Sequence, residues 1–406
     1  MKKISMLLVI LIALPLVIPG PGRAIPAFAR KYGFNCMMCH TAYPKLNDWG
    51  QRFRDNGYQL PGQVGKEKTA FDTPTPIALR TSTGYVGYHE KDLTTGGFEL
   101  HGLDLLAAGV MHKNISFLLI YTPRIDEPAA SSFSDDPSQP GALESASIIF
   151  SNIIRDALNI RVGRFEPAYH LFSSKRSYYL MTPYTIYAAD TPLNPFVFDD
   201  NQIGIEATGH FRKGFKYGVG VVNGTGANPD NNRFKDVYLT MSQTIGAGDG
   251  QSAGQRIGVF GYYGRQPLYL CGSLAPTGEA PGCANQPFYR LGAAGSLNWK
   301  LANLEVMYMK GIDDKDMEYG RTEDFEYDGA FVELDVATLA NNRLVLSGLY
   351  NWIKPTAGDS YTSYSALARC YLGDWTAVNV ALHAEYTQEG SDFDTDTFAM
   401  LVDFGF

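Results

Sequence analysis

The feature that most constrains this chain is a two-residue hydrophobic period that recurs from Ile77 to the C-terminus. In the last segment Phe398, Met400, Val402, Phe404 and Phe406 share one parity, with Ala399, Leu401, Asp403 and Gly405 between them. Ile203, Ile205 and Ala207 alternate with Gln202, Glu206 and Thr208, and Val332, Leu334 and Val336 with Glu333 and Asp335. Val378, Val380 and Leu382 alternate with Asn379, His383 and Glu385. Successive side chains of a strand point to opposite faces, so each segment has one apolar and one polar face. Apolar outside and polar inside is the pattern of a transmembrane β-barrel. A pair of soluble β-sandwiches would share the period, so the connections must decide.

Segments of this kind lie near 78–88, 97–110, 115–122, 144–153, 159–165, 200–210, 214–222, 235–244, 255–265, 288–299, 303–311, 327–338, 343–353, 361–371, 374–388 and 396–405, about 16 in all. Short turns at Lys113-Asn114, Lys213-Gly214, Ala340-Asn341-Asn342 and Gly373-Asp374 alternate with long connections at 123–143, 166–199, 266–287 and 312–326. Alternating short turns and long loops belong to barrels of the outer membrane. The expected fold is all-β, an antiparallel transmembrane barrel of about 16 strands over residues 71–406, with a small, mostly helical N-terminal segment plugging its lumen. An even strand number puts both termini on the periplasmic side. The formal net charge of -8 excludes a nucleic-acid partner, which needs a basic surface.

Residues 1–24 read as a signal peptide: Lys2 and Lys3 precede the apolar run Leu7–Ile18 and a small-residue site at Gly22-Arg23-Ala24. Export gives context to Cys36-Met37-Met38-Cys39-His40, the C-x-x-C-H attachment motif of a c-type haem. Cys36 and Cys39 would form thioethers to one haem c, and His40 would be the proximal ligand of its iron. The following stretch Lys45–Asn56 carries Leu46, Trp49 and Phe53 on one helical face and stops at Gly57. Residues 25–70 form the monohaem cytochrome segment, too short to wrap a haem in a core of its own. The barrel must supply the cover.

The run Pro26-Ala27-Phe28-Ala29-Arg30, then Cys36 to His40, Pro44, Leu46-Asn47, Gly50, Phe53 and Gly57-Tyr58 resembles the fused monohaem cytochrome c–porin family of outer-membrane electron-transfer proteins, of the iron-oxidase type. The match covers about 40 residues specifically; the barrel matches in type and size. The chain departs from the iron-oxidase members at Thr41-Ala42-Tyr43, where they carry a further His and aromatic residues. The resemblance implies electron transfer between an extracellular metal ion and periplasmic cytochromes c, with oxidation of ferrous iron as the leading reaction. A solute porin with a haem-bearing redox gate and an outward conduit for metal reduction are the other readings. Outer-membrane lipid is the expected surrounding.

No His or Met lies between Thr41 and Ala70, so a second axial ligand has to come from the barrel or be lacking. Parity selects His101 and His383, placed towards the outer mouth, then His210 and Met307. Cys271 and Cys283 bracket a loop and are expected to form a disulfide in an oxidising compartment, leaving Cys370 as a small wall residue. The loop from Glu166 to Asp200, rich in Tyr, Phe and Pro, is too long for a plain connector; folding inward to constrict the pore or touch the haem is the functional expectation. Asp313 to Asp328 holds eight acidic residues, a cation funnel or an ordinary solvated loop.

Overall fold

The computed structural model describes residues 27–34, 38–60, 62–72, 77–123, 142–189, 191, 194–211, 213–246, 255–267, 285–317, 321–338, 342–374, 379–390 and 395–405. The signal peptide, Cys36, the Cys271–Cys283 pair and Phe406 lie outside them. Among the described residues no helix is long and apolar enough to cross a membrane.

The period-two segments fold as strands β3 (Ile77–Glu90), β4 (Leu93–His112), β5 (Ile115–Thr122), β6 (Ala142–Phe150), β8 (Asn159–Phe165), β9 (Gln202–His210), β10 (Phe215–Val222), β11 (Asp236–Ile245), β12 (Gln255–Pro267), β13 (Asn285–Trp299), β14 (Ala302–Asp313), β15 (Phe325–Thr338), β16 (Leu344–Pro355), β17 (Tyr361–Asp374), β18 (Asn379–Gly390) and β19 (Thr395–Gly405). Each pairs antiparallel with its neighbours, and β19 pairs with β3, from Thr395 opposite Glu90 to Gly405 opposite Arg80, which closes the ring. Closure removes the sheet edge, the one way a sheet satisfies its backbone inside hydrocarbon. All the expected segments are present. The fourth ends earlier than expected, because Asn152 takes a positive φ of 59° and the chain makes a short extra strand, β7 (Ile153–Asp156), before β8.

The register follows the alternation. Ile205 is 54% exposed while Glu206 is 1%, and Val332 is 40% exposed beside Glu333 at 0%. At the long-loop end the outward face carries Tyr85, Phe98, Tyr289, Tyr308 and Tyr364, and at the short-turn end Phe150, Phe211 and Trp299. Between them lie Val219, Leu239, Val259, Leu291 and Val306, an aliphatic band flanked by aromatic girdles, as lipid requires. Cys370, paired with Leu344 and Leu382, is a fully buried wall residue without a disulfide. Val332→Arg should cost about 2–4 kcal/mol near the midplane, read as urea-dependent unfolding in phospholipid vesicles. Val332→Leu should cost less than about 1.5 kcal/mol, because it conserves character and nearly conserves volume. Equal midpoints for the two would show that this face does not meet lipid.

Two structures fill the lumen. The N-terminal segment holds α1 (Ala27–Tyr32), a minimal hairpin of β1 (His40–Ala42) and β2 (Lys45–Leu46), and α2 (Asp48–Asp55). The helix starts three residues later than Lys45, because Lys45 and Leu46 pair with the strand carrying His40, and Asn47 caps α2 by accepting from the Gly50 N–H at 2.9 Å. It ends as expected at Gly57, whose φ of +66° suits the left-handed position past a helix C-terminus. Phe28, Trp49, Phe53 and Tyr58 stack together and pack on Ala108, Leu118 and Ile149 of β4 to β6. Further wall contacts of the segment, among them Ser116, Asn159, His210, Lys216, Thr244 and Asn342, lie near the short turns. The plug therefore sits at the barrel end that also carries both ends of the strand ring.

The second is the described part of the connection between β8 and β9, residues 166–189, 191 and 194–201, which folds inward. Tyr169, Phe172, Tyr178, Tyr179, Ile186, Tyr187 and Phe198 are buried with Tyr238, Phe260, Tyr262, Met307 and Phe331 of the wall in one cluster. Its tip reaches the opposite wall. Glu385 on β18 accepts from the backbone N–H groups of Leu180 at 2.8 Å and Met181 at 3.1 Å, and Tyr184 donates to Glu333 at 2.5 Å.

Candidate functional site

The site is built where plug and inward loop face each other. Met38 and Cys39 are held by Asn47, whose side-chain amide donates to the Met38 carbonyl at 3.2 Å and whose backbone N–H donates to the Cys39 carbonyl at 3.0 Å. Helix α2 comes so close that a Cβ on Gly50 would lie 2.1 Å from the Cys39 carbonyl oxygen, so this position admits no side chain. The geometry of the attachment segment is thus set by a capping Asn and a close-contact Gly, both of which the sequence resemblance contains.

His40 donates from Nδ1 to the Pro44 carbonyl at 3.0 Å. A carbonyl only accepts, so the proton is on Nδ1 and the lone pair of the neutral ring is on Nε2. Burial pushes the imidazole down to about 4, against the smaller opposing effect of that carbonyl. A neutral, tautomer-fixed imidazole with a backbone carbonyl behind it is what a metal-ligating histidine needs. Burial also pushes the Cys39 thiol up to about 11. Of the described part of the motif, His40 thus presents a ring nitrogen of the kind a haem iron would take, and Cys39 a protonated thiol.

A cleft between the two lumen structures is lined by Lys45, Leu46, Gln51 and Arg54 of the plug, by His170, Leu171, Phe172, Ser173, Arg176 and Tyr184 of the loop, and by Arg256 and Glu305 of the wall. Leu46 is the cross-strand partner of His40, so the cleft opens beside the haem motif. Its charged lining holds Lys45, Arg54, Arg176 and Arg256 with Glu305, and three of the cations are already paired: Lys45 with Glu305, Arg54 and Arg176 with Glu166. Glu166, at the root of the loop, joins the two halves by pairing with Arg54 at 3.4 Å and with Arg176.

The sequence candidates for a second ligand all face the lumen, as parity requires, but none lines this cleft. His101 is bonded through Nε2 to the Leu180 carbonyl at 3.2 Å. His383 lies 3.0 Å from Glu385 through Nε2 and 3.7 Å from Asp403 through Nδ1. His210 pairs with Asp55 at 2.9 Å, and Met307 is packed in the aromatic core. The expected place of His383 at the outer mouth needs correction: it is close to Asn379, the short-turn end of β18, because that strand runs Asn379–Gly390 and not 374–388. His101 lies nearer Leu93 than His112 on its own strand β4, opposite Ser82 of β3.

Sequence reasoning missed Lys45, which read as a helix residue. Its ammonium lies 2.9 Å from Glu305, 3.2 Å from Glu333 and 2.6 Å from Asp335. The signal was there in part: these three carboxylates have lumen parity on neighbouring strands, and such a cluster needs a cation. In the acidic stretch, Asp313 turns inward to pair with Arg290 at 2.7 Å and Glu326 pairs with Lys310 at 2.6 Å, so its charges are not all free to attract ions.

A closed ring of sixteen antiparallel strands with lipid-type girdles and an inward loop defines the class: the fold is that of the outer-membrane porins. The chain is similar in structure to a loop-deletion mutant of OmpT, an outer membrane protein of Vibrio cholerae (TM-score 0.53, 9% identity, 81% of this chain and 98% of that one). It is similar also to an anion-selective porin from Comamonas acidovorans (0.52, 12%, 81% and 99%) and to OprB of Pseudomonas putida (0.52, 12%, 81% and 94%). No protein-family model and no curated protein matches the chain.

Proposed function

We propose that this chain is a c-type cytochrome fused to an outer-membrane porin, exported by residues 1–24 and carrying one electron at a time between an extracellular metal ion and periplasmic cytochromes c. The observation that carries the reading is the Cys36-x-x-Cys39-His40 motif, whose half-buried His40 lies on the lumen plug, neutral and bonded through Nδ1 to Pro44. Haem c, when bound, would supply a one-electron couple able to take an electron from a ferrous ion, leaving ferric, and pass it to a periplasmic carrier. Cys36 and Cys39 would anchor the group, and His40 would hold its iron. The fused domains are then 25–70 for the haem segment and 71–406 for the barrel. Hydrocarbon is ~30 Å thick, so one redox centre needs partner carriers to complete the crossing. The physical benefit is separation, because insoluble ferric product stays outside while the electron enters.

Cys36→Ala and Cys39→Ala should each lose covalent haem staining on a denaturing gel, while heat-modifiable migration shows that the barrel assembles. Staining equal to wild type in both variants rejects the assignment. Mixing oxidised protein with ferrous iron should shift the haem spectrum towards its reduced form; no shift removes iron oxidation.

The porin fold favours one alternative, a solute pore whose haem-bearing plug acts as a redox gate. Solute flux in liposomes that rises on reduction would establish it, and low flux in both redox states supports the electron-transfer reading.

A further inference from the structure

We propose that His170, carried into the lumen by the inward loop, is the second axial ligand of the iron that His40 binds, coordinating through Nδ1. The inference rests on the haem reading above and goes beyond it by naming the group on the iron's other face.

Three observations converge on this residue. Its side chain is 1% exposed, and Nε2 is 2.8 Å from the Phe198 carbonyl, so Nε2 carries the proton and Nδ1 the lone pair. Buried Nδ1 has no hydrogen-bond partner. A buried polar atom left unpaired is costly, of order 1–3 kcal/mol, and asks for an explanation; a bound metal is one. Finally, His170 lines the cleft beside Leu46, the cross-strand partner of His40, whereas the four sequence candidates do not.

The two histidines are built alike. Each gives one ring N–H to a backbone carbonyl, Pro44 for His40 and Phe198 for His170, which fixes the tautomer and strengthens the other nitrogen as a ligand. Either ring nitrogen can serve as a metal ligand. The second imidazole is also held rigidly, with Tyr169, Tyr187 and Phe198 rings at 4.5, 5.1 and 5.2 Å from it. One ligand comes from the plug and the other from the loop, so iron would tie the two lumen structures together. His383 also has an Nδ1 without a hydrogen bond, but that nitrogen lies 3.7 Å from the Asp403 carboxylate, and His383 does not line the cleft.

The test is the ferric spectrum of the full-length holoprotein, with covalent staining and heat-modifiable migration followed in parallel. Wild type should be low-spin with the near-infrared charge-transfer signature of two imidazoles. His170→Ala should lose that low-spin signal, keep its staining, and regain the signal when free imidazole is added. His170→Met should give a His–Met signature, which covers the case in which the alanine variant fails to assemble. A low-spin signal of the two-imidazole type persisting in His170→Ala or His170→Met overturns the assignment. So does a high-spin or His–Met signature in wild type. An unstained wild type would instead overturn the haem reading, an outcome that staining separates from the others.

Discussion

Lys45→Met should release the plug from a barrel that stays closed. Lys45 is the cation of a buried cluster with Glu305, Glu333 and Asp335, at 2.9, 3.2 and 2.6 Å. Burial alone would lower its ammonium, but Asp335, then Glu305 and Glu333, hold it well above the usual lysine value, so the cation is present at any working pH. Methionine keeps the length and apolar stem, which isolates the charge. Three carboxylates on β14 and β15 are then left facing one another without a counter-ion, and breaking a buried pair from one side costs about 3–5 kcal/mol. The strand ladder does not pass through Lys45, so the loss falls on plug docking. Trypsin should cleave at Arg52 and Arg54 in the folded variant and spare them in wild type, and single-channel conductance should rise. Lys310→Met, which removes an exposed, solvent-screened pair with Glu326, is the control and should leave plug docking and stability unchanged. Plug resistance equal to wild type in Lys45→Met would mean that the aromatic contacts of Phe28, Phe53 and Tyr58 hold the segment by themselves.

The barrel was legible because its signal is local. Each strand advertises its register through neighbours two positions apart, and the pairing Val332–Glu333 or Ile205–Glu206 can be read without knowing what lies across the lumen. The end of α2 at Gly57 is local in the same sense. The site between plug and loop was not, because it joins residues far apart in sequence. Lys45 meets carboxylates nearly three hundred positions away, and nothing near Lys45 distinguishes it from a solvated helix lysine. His170 was visible only as part of an aromatic loop. Parity arguments do not apply to a segment that is not a strand, so the search for a second ligand ran along the wall and missed the loop. Inward folding was readable from length and aromatic content. The nitrogen that would be left without a partner was not.

Glu206→Ala should detach the root of the inward loop and open the lumen, the larger of the two effects. Glu206 is 1% exposed and serves three donors: the Arg161 guanidinium, the Ala168 backbone N–H at 2.6 Å and the Tyr238 hydroxyl at 2.5 Å. Arg161 is itself buried and, once the carboxylate is gone, keeps the Glu166 carbonyl at 2.9 Å and the Phe165 ring at 4.6 Å but no ion pair. An uncompensated buried guanidinium costs about 3–5 kcal/mol, and each orphaned neutral donor adds about 1–3 kcal/mol. These sums are not additive, since the loop can relax to let water in. That relaxation is the expected result, because Ala168 begins the stretch that carries Tyr169 and His170 across the pore. Conductance in planar bilayers should rise, and urea unfolding should move to lower concentration by an amount worth at least about 3 kcal/mol. Glu206→Gln separates the two causes: it keeps an acceptor for Ala168 or Tyr238 but gives Arg161 no charge, so it should recover part of the stability and less of the closure. Glu385→Ala, at the far end of the same loop, frees the N–H groups of Leu180, Met181 and Thr182 without stranding a charge, and should cost less than Glu206→Ala. A Glu206→Ala protein with unchanged conductance and a loss under about 1 kcal/mol would show that aromatic packing against Tyr238, Phe260 and Phe331, not the charge at its root, holds the loop in the lumen.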